Sequence, residues 1–176
     1  MIREERMRVE LPAVLSLGSN LGDREGTIRV AIEEIAGVDS VTVVNASGLV
    51  ETAAVRLDGV DDQAPPYLNA VVAILTALSP EALLDSLNRI EDAHGRVRDE
   101  RWGDRTLDID IVSMGGLTRE SDTVTLPHPR AAGRAFVLAP WLEIEPDARI
   151  PGYGRVDELL AATGDLVHRV EAEPLW

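Results

Sequence analysis

The chain has 176 residues, 45% of them hydrophobic, with 17 basic side chains against 31 acidic ones and a net charge of −14. That balance, with a mean hydropathy near zero, suits one domain with a full core and argues against a nucleic-acid binder, whose phosphate partner needs excess cations. Cysteine and lysine are both absent, which excludes disulfides, thiolate metal sites, thiol catalysis, Schiff-base chemistry and a P-loop.

Residues 1–11 are charged and aperiodic and read as a flexible leader. No apolar run is long enough to span a bilayer and Met1-Ile2-Arg3-Glu4-Glu5-Arg6 is unlike a signal peptide, so a cytoplasmic protein is expected. Ala13–Leu17 predicts a buried strand that ends in the turn-forming run Gly18-Ser19-Asn20-Leu21-Gly22-Asp23. A helix follows over 24–36, with Asp23 as its N-cap and Ile28, Ala31, Ile32 and Ile35 on one face. Val41–Leu49 is β-branched and strand-like, and residues 52–66 show no period and read as a long loop.

Tyr67–Leu78 predicts a second buried strand. Ser79-Pro80-Glu81 then starts a helix striped by Leu83, Leu87 and Ile90 and stopped by Gly95. An arginine-rich loop precedes a strand through Asp108 and Asp110, and a short strand over Thr123–Leu126 leads into Pro127-His128-Pro129-Arg130. Residues 131–144 and Val156–Ala162 predict two more helices. No repeat or linker interrupts the chain, so residues 1–176 form a single domain. The order β-α-β-β-α-β predicts an α+β fold, a ferredoxin-like sandwich with helices packed on one face of an antiparallel sheet.

The most informative stretch is residues 96–112. Arg96, Arg98, Arg101 and Arg105 surround Trp102 and Gly103, and the run then alternates apolar and acidic residues. Alternation puts Asp108 and Asp110 on one strand face, roughly 7 Å apart at Cα, with Leu107, Ile109 and Ile111 turned to a core. Two such carboxylates repel unless a cation bridges them, and an arginine loop beside them suits a polyphosphate held by guanidinium forks and divalent metal. Arg101 has acidic neighbours for surface pairing in Asp99, Glu100 and Asp104. Gly95 and Gly103 bracket the loop and give it freedom to close over its ligand.

Four blocks, in this order, make the chain similar to a known family. They are Leu15-Ser-Leu-Gly-Ser-Asn-Leu-Gly22; Tyr67-Leu-Asn-Ala70; Ile90-Glu-Asp-Ala-His-Gly-Arg-Val-Arg98 with Arg101-Trp-Gly-Asp-Arg-Thr-Leu-Asp-Ile-Asp-Ile111; and Leu126-Pro-His-Pro-Arg130 with Arg134-Ala-Phe136. Over roughly residues 13–150 the chain resembles the hydroxymethyldihydropterin pyrophosphokinases of folate biosynthesis. The resemblance implies a ferredoxin-like fold and transfer of pyrophosphate from ATP to the hydroxymethyl group of a dihydropterin, leaving AMP, with two magnesium ions. It implies that Asp108 and Asp110 bind magnesium and that Asn88, Glu91, Arg96, Arg98, Trp102, Arg105, Ile111, Thr125, His128 and Arg134 line the ATP side. Thr52, Tyr67, Asn69, Trp102 and Phe136 are implied on the pterin side. Two positions depart from the family pattern: Ala53-Ala54 follows Thr52 where proline and glycine are usual, and Thr123 stands where some members carry arginine.

The residues fit this chemistry in their own right. Pyrophosphoryl transfer depends on positioning and charge neutralisation, which Arg96, Arg105, Asp108 and Asp110 supply as the catalytic group. A metal-bound hydroxymethyl loses its proton more readily, and Asp108 or Asp110 is the acceptor. His128, between two prolines, reads as a hydrogen-bond donor to ATP, whereas His94 and His168 read as surface residues. Trp102 and Phe136 are two of only six aromatics and suit stacking on a flat heterocycle, and Asn69 offers a donor and an acceptor to a pterin edge. The expected partners are thus two small molecules, ATP and the pterin, bound by a monomer. The alternative is a degenerate member, or a ferredoxin-like module, that binds nucleotide or pterin without transfer.

Overall fold

The computed structural model describes residues 9–53, 55–56, 59–60, 63–95 and 106–176. Six strands form one antiparallel sheet: β1 (Leu11–Ser19), β2 (Val41–Ala46), β3 (Leu49–Thr52), β4 (Tyr67–Thr76), β5 (Asp108–Met114) and β6 (His168–Val170). The order across it is β6-β3-β4-β1-β5, with β2 lying on β4 beyond the end of β3. Helix α1 (Arg24–Ala36) follows β1 and α2 (Pro80–Ala93) follows β4. The Asp23 carboxylate accepts from the Gly26 N–H and the Ser79 hydroxyl from the Ala82 N–H, so both helices start at the predicted caps.

The α1 and α2 stripes pack on one face of the sheet. Ile28, Ile32, Ile35, Leu83 and Leu87 meet Leu15, Leu17, Ala70, Val72, Ile109 and Ile111 in the larger core. That half is the predicted ferredoxin-like sandwich. The one-face expectation omitted a second layer. Val14, Val71 and Val112 point the other way and are covered by Val137, Leu138 and the fully buried Trp141 of α3 (Ala135–Ile144), backed by Val156 of α4 (Val156–Thr163). Continuous apolarity in β1 and β4 is the sequence sign of burial on both faces. No helix among the described residues is long and apolar enough to cross a membrane.

Several boundaries differ from the sequence reading. Gly18 and Ser19 are not turn residues; both continue β1 and pair with Asn69 and Leu68. The strand expected over Val41–Leu49 breaks at Ser47-Gly48. There the Ser47 N–H bonds the Val71 carbonyl while its hydroxyl accepts the Val71 N–H, so the ladder is satisfied through the break. Residues 131–144 split into a 3-10 turn (Ala131–Gly133) and α3, separated at Arg134. Within the expected loop, Val55–Arg56 pairs with Gly59–Val60. Two-residue ladders also join Arg119–Glu120 to Thr125–Leu126 and Arg149–Ile150 to Gly154–Arg155. These ladders, and three-residue β6, are too short to show a hydrophobic period.

Candidate active site

The α3–α4 layer covers only part of the second sheet face. Register places the row Asn69–Gly18–Asp108 across the uncovered part and the row Val71–Ser16–Asp110 at its margin, where Val71 already lies under α3. The central strand offers only a glycine and a serine there, so the floor is low between taller neighbours. With strands about 4.8 Å apart, Asn69 and Asp108 stand roughly 10 Å from each other across Gly18. A Cβ at Gly18 would come 3.1 Å from the Asn69 Oδ1, so a larger residue would press the amide aside by a few tenths of an ångström, while its 3.6 Å to the Tyr67 Cδ1 is ordinary contact.

On one side of Gly18 the groups are neutral. Asn69 is buried and its amide nitrogen donates to the Thr52 hydroxyl at 2.9 Å, which leaves the amide oxygen over Gly18. Thr52 and Tyr67 are opposite residues at the last rung between β3 and β4, and both are half-buried. The chain therefore brings three of the five predicted pterin residues together.

On the other side the groups are charged. Asp108 and Asp110 share a face of β5, half-exposed, while Ile109 and Ile111 point into the α1–α2 core, as the alternation predicts. Val112 continues the Asp108/Asp110 face and meets α3, and a bulge opposite Val14/Leu15 then shifts the phase so that Met114 returns to the α1–α2 core. His128 Nε2 and Arg134 Nη1 lie 3.7 and 3.8 Å from Asp110 Oδ2, within ion-pair range and beyond hydrogen-bonding distance. Arg134 also holds its guanidinium carbon 5.4 Å from the ring centre of half-buried Phe136.

His128 is fixed by its backbone. Its N–H donates to the Val112 carbonyl, and its Nδ1 accepts the Arg130 N–H at 3.2 Å, which assigns the ring proton to Nε2, the atom facing Asp110. Burial, then Arg134 and Arg130, push its pKa down to about 4 against an opposing pull from Asp108. The contact with Asp110 is therefore no ion pair at neutral pH, and His128 is neutral with its proton on Nε2. Burial also lowers the Arg134 pKa while Asp110 raises it. The guanidinium remains a cation at neutral pH.

Other predicted residues stand differently. Glu91 was expected as an ATP contact. Its carboxylate is buried, 1% exposed, and accepts the Ile109 N–H at 2.7 Å, bracing β5 between the two aspartates. Asn88 is half-buried one turn earlier on α2. The Ile111 side chain lies in the core, so only its backbone remains for a nucleotide. Thr125 is exposed on its short ladder before His128. His94, expected at the surface, is only 16% exposed and bonds Glu34 at 2.7 Å, whereas His168 is exposed as expected. Arg96, Arg98, Arg101, Trp102, Gly103 and Arg105 lie outside the described residues, as do Ala54 and the first eight residues of the leader. No local signal marks Glu91 as a strand brace; a lone glutamate at the end of an amphipathic helix normally faces solvent.

No group of three or more histidine, aspartate or glutamate side chains among the described residues could hold a metal ion. A two-carboxylate set fits magnesium, which keeps several waters and takes one or two carboxylates plus substrate phosphates.

Comparison with known proteins identifies the family. Residues 14–146 match the model of a family described as 7,8-dihydro-6-hydroxymethylpterin-pyrophosphokinase. A 2-amino-4-hydroxy-6-hydroxymethyldihydropteridine pyrophosphokinase of Haemophilus influenzae is 37% identical over 155 residues, covering 88% of this chain and 94% of the relative. A protein of the same name from Bacillus subtilis is 43% identical over 132 residues, covering 75% of this chain and 77% of the relative. In fold, the chain is similar to the crystal structure of wild-type Plasmodium falciparum HPPK-DHPS with pteroate, with a TM-score of 0.66 at 14% identity. That match covers 88% of this chain but 42% of the longer one.

Proposed function

The chain belongs to the 7,8-dihydro-6-hydroxymethylpterin-pyrophosphokinase family, and from that premise we infer that the open end of its second sheet face is where ATP and the pterin meet. The protein transfers the pyrophosphoryl group of ATP to the hydroxymethyl group of 6-hydroxymethyl-7,8-dihydropterin, in folate biosynthesis. The observation that carries the assignment of the site is the pair of rows Asn69–Gly18–Asp108 and Val71–Ser16–Asp110, neutral at one end and anionic at the other.

The pterin lies on the neutral side. Asn69 and Thr52 meet its polar edge, Tyr67 and Phe136 flank its ring, and Gly18 leaves space beneath. The triphosphate lies over Asp108 and Asp110, with Arg134 and the Nε2–H of His128 turned to its oxygens. Asp108 and Asp110 would hold magnesium, two ions in this reading, which neutralises phosphate charge and acidifies a bound alcohol. The hydroxymethyl oxygen bonds to the β-phosphorus and the bridge to the α-phosphate breaks, with AMP leaving on that oxygen. The hydroxyl proton passes to Asp108 or Asp110, the carboxylates on that side of the floor. Arg96 and Arg105, outside the described residues, are assigned the further cations.

Product identity tests the reading. With ATP, magnesium and the hydroxymethyl dihydropterin, AMP must accumulate in step with pterin diphosphate. ADP would mean an ordinary kinase. Tight binding of both ligands with no turnover would favour the non-transferring alternative.

A further inference from the structure

We propose that Arg24, which faces away from the pterin, is a positioning residue that sets the pterin side by tying together the two roots of the loop over 53–66. The inference rests on the pterin-side reading above. Arg24 opens α1, on the opposite sheet face from Asn69 and Thr52. Its Nη1 donates to the Glu51 Oε2 at 3.0 Å and to the Pro66 carbonyl at 2.7 Å. Asn20, 1% exposed, adds a longer bond of 3.4 Å from its amide to the Pro65 carbonyl. One guanidinium nitrogen thus holds the residue before Thr52 and the residue before Tyr67.

The register explains why this matters for the other face. Thr52 and Tyr67 form the terminal rung between β3 and β4, the rung most prone to fray where the loop departs. Side chains alternate along a strand, so Glu51 points toward α1 while Thr52 points toward the pterin side. Gripping Glu51 and the Pro66 carbonyl from below fixes the separation of Thr52 and Tyr67 above. The Asn69–Thr52 hydrogen bond depends on that separation. The tie is partly shielded, with the Arg24 side chain 27% exposed and Glu51 37%, so water competes with it less than at an open surface. The fork suits the task. A single Nη carries two protons, one for the carboxylate and one for the carbonyl. Nothing in this arrangement reaches the phosphate side, which lies across Gly18 on β5.

The tie therefore predicts a selective defect. In Arg24→Met, which keeps the apolar stem, pterin affinity measured by calorimetry with magnesium and a non-hydrolysable ATP analogue present should fall about tenfold, the order expected when a charge-assisted tie is lost. Affinity for the ATP analogue alone should stay within about twofold of wild type. Glu51→Gln, which keeps an acceptor oxygen but removes the charge, should show the same selectivity at a few-fold loss; it carries the test if the methionine variant does not fold. Equal weakening of both ligands would mean a general structural role and overturn the proposal, as would unchanged pterin affinity in both variants. Failure of the wild-type protein to bind the pterin would instead overturn the pterin-side reading itself.

Discussion

The two sides of Gly18 are built on different principles. On the side proposed for the pterin, Asn69 bonds Thr52 at 2.9 Å and Arg24 bonds both Glu51 and the Pro66 carbonyl. On the side proposed for the phosphates, His128 and Arg134 are held more loosely against Asp110. His128 and Arg134 approach Asp110 to 3.7 and 3.8 Å and stop short of hydrogen bonds. A neutral ring is recognised by shape and a few donors, which can be arranged in advance at little electrostatic cost. A triphosphate with magnesium brings opposite charges of its own, and a cation locked on an aspartate would have to be released before it could serve the phosphates. Asn69 and Thr52 are preorganised by a bond, His128 and Arg134 by their spacing from Asp110.

Changes on the phosphate side should break this contrast most visibly. Asp110→Ala should lower kcat/KM by about a thousandfold, the order seen when a preorganised charge is removed from a reacting centre, while the unfolding midpoint moves little because the side chain is half-exposed. Marked unfolding would instead make Asp110 structural. Arg134→Met should cost about a hundredfold in kcat/KM for ATP, measured at saturating pterin, and leave pterin affinity within a few-fold. On the neutral side Thr52→Val removes the hydroxyl that Asn69 bonds and should raise the pterin KM about tenfold with the ATP KM unchanged. A shift in both constants would erase the distinction between the sides.

The smallest effect concerns pH. The folded pKa of His128 is about 4, below its ordinary value of 6.5, so between these values the unfolded chain binds the proton and the folded chain does not. Its contribution to stability is therefore full above pH 6.5, is lost as pH falls toward 4, and changes no further below. Urea unfolding of metal-free, nucleotide-free protein across pH 4 to 7 should show a shallower slope for His128→Gln than for wild type. Parallel slopes would mean that His128 is not held neutral.

The parts of the molecule legible in the sequence are those with a period or a cap. The α1 and α2 stripes, the Asp23 and Ser79 caps and the Asp108/Asp110 alternation each state their own geometry, because each burial pattern repeats over several residues. The second helical layer was harder to read, since β1 and β4 show burial on both faces without saying what covers the second. Gly18 looked like turn chemistry because a glycine beside serine and asparagine usually is. Only the register against Asn69 and Asp108 explains it as a low point in a sheet. The bracing role of Glu91 and the tie made by Arg24 have no sequence sign for a related reason: their partners are backbone groups and a carboxylate far along the chain, and long-range hydrogen bonds leave no local signature.

The brace from Glu91 also bears on solubility. β5 is the outermost strand on its side of the sheet, and an open strand edge invites pairing with another chain. Here the Ile109 N–H is held by Glu91 and the Val112 carbonyl by the His128 N–H, so one donor and one acceptor flanking Asp110 are already engaged. At those two points the strand presents its carboxylate to ligand without offering its backbone to a second sheet.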